Sequence, residues 1–250
     1  MRYTLKAIGA TQFHQIGPRK EREHAAEVFL AQRFFDFRTS GCFIEVGAND
    51  PVKYSQTWQL EQDGWSGIPV EPVPELGDLL REKRPRSRVA TVACGSPEQV
   101  GTATFHVSRN TQFSSLAGRH VDFNPDYVQS VPVQVMTLDQ VIAQHAPGKI
   151  DFVSIDVEGM QLDVLRGFDL ARHQPDLLLV EDHLIDFRTH RYLRRRGYQL
   201  VKRTGLNNWY VPRGRPFALT DARERFALWR KLWLRTPIRA LRARLRRWLG

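Results

Sequence analysis

The sequence predicts an α/β fold with a doubly wound, mostly parallel sheet, and two observations support this. From residue 42 onward, short apolar runs alternate with stretches suited to crossover helices. The runs are aliphatic and β-branched without polar alternation, which is typical of strands buried on both faces of a parallel sheet. Such strands in alternation with helices form the pattern of βαβ units.

The strands of this sheet are predicted at five apolar runs, in chain order 42–47, 67–71, 88–93, 150–155 and 177–181. Crossover helices are predicted at 54–61, 74–83 and 159–167. Further strands are expected at 105–107 and 131–135, around an irregular loop. Residues 197–203 and 208–212 are predicted as an antiparallel hairpin that closes one sheet edge. Before the first strand, residues 19–37 have helical periodicity and are expected to cover the sheet.

The composition is that of an ordinary globular protein, with 42% hydrophobic and 26% charged residues among 250. It excludes a disordered chain and a small disulfide scaffold. No apolar window is long enough to span a membrane, and residues 1–20 lack the apolar core of a secretory signal, so we expect a cytoplasmic protein. Cys42 and Cys94 each lie in an apolar run, which predicts reduced thiols in the core.

The net charge of +10 is concentrated near the C-terminal end. Residues 221–250 carry ten Lys and Arg against two acidic residues, so residues 1–220 hold only +2. We therefore expect one domain over residues 1–220 and a basic tail over residues 221–250. From Ile238 onward the tail is predicted as an amphipathic helix, with arginines opposite an apolar face of Leu241, Leu245, Trp248 and Leu249.

Three partners fit this tail. An anionic membrane surface is favoured, because Trp and Leu insert at the interface while Arg contacts lipid phosphates. The protein would then be peripheral at the inner membrane face. Alternatively, the apolar face packs on the body or on a second subunit, which would give a homo-oligomer. Nucleic acid is the least favoured partner, because the tail's aromatic residues share one face and the body is nearly neutral.

Ligands in an open parallel sheet bind beyond the carboxyl ends of the strands, and two strand ends here have the composition of a nucleotide site. The first strand leads into Gly47, Ala48 and Asn49, a turn that lets a ligand approach the backbone. The second ends at Glu71, where an acid in nucleotide-binding units accepts hydrogen bonds from ribose hydroxyls. Together these residues predict adenosine binding.

Ionisable residues follow the fourth and fifth strands. Asp156 ends the fourth, while Glu181, Asp182 and His183 lie at the end of the fifth. Adjacent strands could therefore bring these side chains to one mouth. Such a cluster offers a base that takes a proton from a hydroxyl, or oxygen ligands for a divalent cation such as Mg²⁺.

Three segments of the chain are specific enough to compare with a known family. They read FIEVGAND at 43–50 with VEP at 70–72, VMTLD at 135–139, and IDFVSIDVEGMQLDVLRG at 150–167. These segments resemble the FkbM-type family of S-adenosylmethionine-dependent methyltransferases, and the resemblance extends over residues 40–212. It implies a seven-stranded Rossmann-like sheet of class I.

The resemblance also implies which residues surround the cofactor S-adenosylmethionine. The first turn would line its methionine end, Glu71 its ribose, and the end of the third strand its adenine, while Asp156 would face the transferred methyl group. The expected cofactor-binding residues are Glu45, Gly47, Ala48, Asn49, Glu71, Ala93, Cys94 and Asp156.

The expected reaction is methyl transfer to a hydroxyl oxygen of a sugar, glycolipid or secondary metabolite. Asp156 is the first candidate for the base and His183 the second. A divalent cation held by Asp156 with Glu181 or Asp182 would lower the pKa of the acceptor. The alternative is a non-catalytic scaffold that binds a membrane or protein partner through its tail. It is favoured by Pro51, which stands where the family commonly has glycine.

Overall fold

The computed structural model describes residues 19–108, 116, 127–145, 147–182, 184 and 187–238. Its strands are β1 (Cys42–Val46), β2 (Ser66–Val70), β3 (Ala93–Cys94), β4 (Gly101–Ser108), β5 (Tyr127–Met136), β6 (Phe152–Ile155), β7 (Leu177–Glu181), β8 (Tyr198–Thr204) and β9 (Asn207–Pro212). Its helices are α1 (Arg19–Phe34), α2 (Trp58–Gln62), α3 (Pro74–Lys83), α4 (Leu138–His145), α5 (Gln161–Arg166), α6 (Leu170–His173), α7 (Arg188–Arg195) and α8 (Ala222–Arg230). A π-helical turn, Lys231–Arg235, continues α8.

The larger of two sheets has the strand order β2-β1-β6-β7-β9-β8. Its strands β2, β1, β6 and β7 run parallel, whereas β9 pairs antiparallel with both β7 and β8. A second sheet has the order β3-β5-β4. The fold is therefore α/β with a mostly parallel sheet, as the alternation of apolar runs with helices predicts.

The parallel strands are largely apolar because both faces of the larger sheet are buried. In β7, Leu178 and Val180 belong to the core on one face. Leu177 and Leu179 belong to the core on the other face, which α1 covers with Ala31 and other residues. This two-sided burial is the physical reason that the runs lack polar alternation.

The third predicted strand, residues 88–93, is the main departure from the sequence analysis. The chain here lies beside β2 but pairs with it only through two isolated parallel bridges, Val70 with Ala90 and, just before the segment, Gly67 with Ser87. Pro69 of β2 accepts a hydrogen bond from the Ala90 N–H, yet it has no N–H with which to continue the ladder. Among the described residues the larger sheet therefore has six strands, and β3 joins the second sheet instead.

The described helices include none that is long and apolar enough to cross a membrane. The end of the tail, with Leu241, Leu245, Trp248 and Leu249, lies outside the described residues, so its predicted amphipathic helix stays a prediction. Cys42 and Cys94 are buried free thiols.

Candidate functional site

A pocket opens at the carboxyl ends of β1, β2 and β6 and extends to β3 and β4. Its volume, counted with the open solvent at its mouth, is about 930 Å³. The pocket brings together all eight residues predicted to bind the cofactor: Glu45, Gly47, Ala48, Asn49, Glu71, Ala93, Cys94 and Asp156.

The turn after β1 holds three strand ends together. The N–H groups of Gly47 and Ala48 both donate to the carbonyl of Val70, at the end of β2. Gly47 has φ +83°, and a Cβ atom on it would lie 2.0 Å from the carbonyl oxygen of Asp156, after β6. Only glycine fits this backbone, so the pocket floor depends on it.

Glu71 presents a buried carboxyl group at the pocket wall. Its two oxygens accept backbone hydrogen bonds, one from Asn49 N–H (2.9 Å) and one from Val73 N–H (3.0 Å). Burial raises the pKa of Glu71 to about 7, although both hydrogen bonds act in the opposite direction. Each oxygen retains a lone pair, so the group can accept further hydrogen bonds from a ligand.

The carboxylate of Glu45 is bound within the protein. It accepts hydrogen bonds from the Ser55 hydroxyl (2.9 Å) and the Gln56 N–H (2.7 Å), and it pairs with Arg84 at 3.1 Å. Arg84 is fully buried and also pairs with Glu61 at 2.6 Å. Glu45 thus forms part of the wall, but its charge is compensated by Arg84 and it holds the loop after β1 in place.

The opposite end of the pocket is apolar. Ala93 and Cys94 line it together with Phe105 of β4 and Leu116. Burial raises the pKa of the Cys94 thiol to about 12, so this thiol is neutral and acts as apolar surface. A flat, weakly polar group would be well accommodated here.

Asp156 lies at the mouth, directly after β6, and is solvent-exposed. It is the only one of the predicted catalytic residues that the structure describes, because His183 lies outside the described residues. Its position beside the Gly47 turn allows its carboxylate to meet a group bound at the mouth.

The predicted metal site is not supported. Glu181 and Asp182 do not line the pocket with Asp156. The Asp182 carboxylate instead accepts a hydrogen bond from the Leu184 N–H at 2.8 Å, while its backbone carbonyl accepts from Arg203 and Asn208 of the β8–β9 hairpin. Within the described ranges, no group of three or more His, Cys, Asp or Glu residues could hold a metal ion.

Sequence reasoning missed the pocket residues of the loop after β1, namely Lys53, Tyr54 and Gln56. Tyr54 has φ +65°, and its ring makes an edge-on contact with His24 of α1 at 5.7 Å. Gln56 donates a hydrogen bond to Glu27 of α1 at 3.0 Å. Helix α1 therefore supports this wall of the pocket, and no local pattern in the loop signals that contact.

A family model, the methyltransferase FkbM domain, matches residues 45–200, which is more than half of the chain. The chain belongs to the FkbM methyltransferase family. The matched region contains every pocket residue described above. A comparison with curated protein sequences finds no match.

Among solved structures, this FkbM methyltransferase is similar to several at low sequence identity. The Pyrococcus horikoshii protein PH1948 is 11% identical, with 80% of this chain and 89% of that chain covered and a TM-score of 0.40. A precorrin-6y C5,15-methyltransferase from Geobacter metallireducens is 11% identical, with coverage of 79% and 88% and a TM-score of 0.38. A methyltransferase from Geobacter sulfurreducens is 13% identical, with coverage of 79% and 80% and a TM-score of 0.39.

The cofactor expected for an FkbM methyltransferase is S-adenosylmethionine, and the pocket residues fit it. The turn at Gly47, Ala48 and Asn49 borders the pocket with mostly backbone and little side chain, Glu71 offers a buried acceptor, and the end at Ala93 and Cys94 is apolar. These are the features that an amino acid group, a ribose and a base respectively require.

Proposed function

We propose that the protein transfers a methyl group from S-adenosylmethionine to a hydroxyl oxygen of a sugar, glycolipid or secondary metabolite. One observation carries the proposal: the Gly47 turn, the buried carboxyl of Glu71 and the exposed carboxylate of Asp156 share one pocket. We assign the transfer to the domain over residues 1–220 and partner binding to residues 221–250.

The chain would hold the cofactor through groups already in position. Glu71 accepts hydrogen bonds from the two ribose hydroxyls, since each of its oxygens is fixed by a backbone N–H. Ala93, Cys94 and Phe105 enclose the adenine, and the turn at Gly47 and Asn49 borders the methionine end. Because these protein groups are already held in position before the ligand binds, the protein loses little conformational entropy on binding.

Bound S-adenosylmethionine supplies a methyl group that its sulfonium makes electrophilic. Asp156 would accept a hydrogen bond from the acceptor hydroxyl and take its proton when the methyl group is transferred to the oxygen. The pocket walls would hold the hydroxyl close to the methyl group, and this positioning would supply much of the rate.

Calorimetric titration with S-adenosylmethionine and S-adenosylhomocysteine tests the cofactor site. We expect binding by the full chain, loss of binding in Glu71→Ala, and unchanged binding in Glu75→Ala. Glu75 is a matched control, because it is an exposed carboxylate four residues along the chain and does not line the pocket. Failure of the unaltered protein to bind either compound would contradict the proposal.

Transfer of labelled methyl groups to a panel of sugars and glycolipids tests the reaction and the base. Asp156→Asn should lower the transfer rate by about 10²- to 10⁴-fold while leaving cofactor affinity within about twofold. Asp78→Asn, on the exposed surface of α3, should leave the rate unchanged. An Asp156→Asn variant that transfers at the normal rate would refute the role of Asp156 as base.

A further inference from the structure

The C-terminal extension, residues 222–238, packs on the body through one side only. Glu224 of α8 forms an ion pair with Lys202 of β8, and Lys202 also donates to the Leu219 carbonyl at 3.0 Å. At the other end, the Thr236 hydroxyl donates to the Leu184 carbonyl at 3.2 Å. The side of the helix that faces the body is therefore already occupied by these contacts.

The opposite side carries large aromatic residues that remain exposed. Phe226, Trp229 and Trp233 are 60%, 49% and 64% exposed. Their spacing of three and four residues places them on one helix face, and the rings of Phe226 and Trp229 stack at 5.9 Å. We call these three residues the aromatic face. Leu234 and Ile238, also exposed, extend the apolar surface along the chain.

Basic residues flank the aromatic face. At about 100° per residue, Arg223 and Arg230 project on one side of it and Arg225 on the other. All three are exposed. The sequence of residues 221–250 has ten Lys and Arg against two acidic residues. Exposed tryptophan beside arginine is the composition of helices that lie in the interface of an anionic bilayer.

The extension ends at the edge of the sheet where the pocket opens. Leu184, which binds Thr236, is two residues beyond Asp182 and follows the carboxyl end of β7. Strand β7 is the direct neighbour of β6, whose carboxyl end leads to Asp156. A surface that binds residues 222–238 would therefore lie next to the pocket mouth.

We propose that the aromatic face binds the surface of an anionic lipid bilayer and brings the pocket mouth to that surface. The methyl acceptor is then a hydroxylated molecule carried by the bilayer, such as a lipid-linked glycan. This second statement rests on the proposed methyltransferase function, whereas the first does not. The charge of the extension matches an anionic bilayer, and its tryptophans match the interfacial region.

Vesicle sedimentation with the full chain tests the binding surface. We expect binding to vesicles of phosphatidylcholine with phosphatidylglycerol and much weaker binding to phosphatidylcholine alone. Replacing the aromatic face by serine (Phe226→Ser, Trp229→Ser and Trp233→Ser together) should weaken binding at least about tenfold. Arg223→Gln with Arg230→Gln should weaken binding to the anionic vesicles by about fivefold per arginine. Val100→Ser, at an exposed apolar residue elsewhere, is the control and should bind normally.

The position of the pocket mouth relative to the bilayer is tested with a fluorescent dye attached to a single introduced cysteine. Both natural cysteines are buried, so the dye should react with the introduced one. Val52→Cys is exposed in the loop after β1, beside the pocket residue Lys53. Glu82→Cys is exposed near the end of α3, five residues before Ser87, which pairs with β2 at its amino end. On anionic vesicles that contain a nitroxide-labelled lipid, we expect quenching at position 52 and none at position 82. Equal quenching at both positions, or quenching at position 82 alone, would refute the orientation.

Other outcomes also decide between explanations. Unchanged vesicle binding by the aromatic-face variant would overturn the proposal. So would a dimer in solution that the same variant abolishes, because the face would then be a contact between two copies of the chain. The cofactor titration is independent of these results. If the full chain does not bind S-adenosylmethionine, the proposed methyltransferase function is refuted, but the vesicle-binding result still stands.

Discussion

Glu71 is expected to make the affinity for adenosine derivatives rise as the pH rises through about 7. Burial holds its carboxyl group neutral to a higher pH than usual, because the ionised form is poorly solvated in the pocket wall. The two ribose hydroxyls each donate a hydrogen bond. The ionised carboxylate can accept both, whereas the protonated carboxyl group carries a hydrogen on one of its two oxygens. Binding therefore selects the ionised form.

The size of the effect follows from the pKa of Glu71, about 7. If only the ionised form binds, the dissociation constant should be about tenfold higher at pH 6 than at pH 8. Below pH 6 the dissociation constant should rise by about another tenfold for each pH unit. The stability of the ligand-free protein has the opposite dependence. The folded-state pKa lies above the usual 4.5, so stability is lost as the pH rises from about 4.5 to 7. The loss amounts to about 3 kcal/mol.

The assay is calorimetric titration with 5′-methylthioadenosine across this pH range. This probe keeps the ribose and adenine but lacks the amino acid group, whose α-amino titration would overlap that of Glu71. Glu71→Gln should bind weakly at every pH, with the pH dependence removed. Glu75→Gln, on the exposed surface nearby, should retain the full dependence. A flat profile in the unaltered protein, or an unchanged slope in Glu71→Gln, would refute the reasoning.

Two further predictions concern stability, and urea unfolding measures both. Gly47→Ala should destabilise the fold by more than Gly148→Ala, because both glycines have positive φ but only at Gly47 would the Cβ atom meet backbone, at 2.0 Å. The backbone strain shared by both is about 1–2 kcal/mol, so equal losses would show that the contact with Asp156 is unimportant. Arg84→Met should cost about 3–5 kcal/mol, because Glu45 and Glu61 would remain buried without their cation. Arg81→Met, at a half-exposed position, should cost less than about 0.5 kcal/mol, and similar losses for the two variants would contradict the importance of the buried network.

The parts of the fold that the sequence predicts are those fixed by local composition. Strands β1, β6 and β7 are predicted because burial on both faces makes them largely apolar. The pocket residues Gly47, Glu71 and Asp156 are predicted because each directly follows such a strand, and parallel strands end at the same edge. Local sequence pattern and the general topology of parallel sheets are together sufficient to predict these three residues of the site.

The parts that the sequence does not predict depend on contacts between distant residues. Arg84 reaches Glu61 and Glu45, which lie 23 and 39 positions earlier in the chain, so no local spacing reveals the network. The prediction of a third strand at residues 88–93 fails because one residue of the neighbouring strand β2, Pro69, lacks the N–H donor that a continuous ladder needs. The metal prediction fails because Glu181 and Asp182 do not line the pocket with Asp156. The Asp182 carboxylate accepts the Leu184 N–H instead, a contact that strand order alone does not specify.

On the sequence alone, Pro51 favours a non-catalytic scaffold, but its surroundings in the structure weaken that interpretation. Pro51 is buried and does not line the pocket. It lies within a turn in which the Asp50 carboxylate accepts the N–H groups of Val52 (2.9 Å) and Lys53 (2.7 Å). Because a proline fixes φ, it stiffens the loop that carries Lys53 and Tyr54 to the pocket wall. This departure from the family pattern therefore leaves the wall of the cofactor pocket formed, and the cofactor titration distinguishes an enzyme from a scaffold.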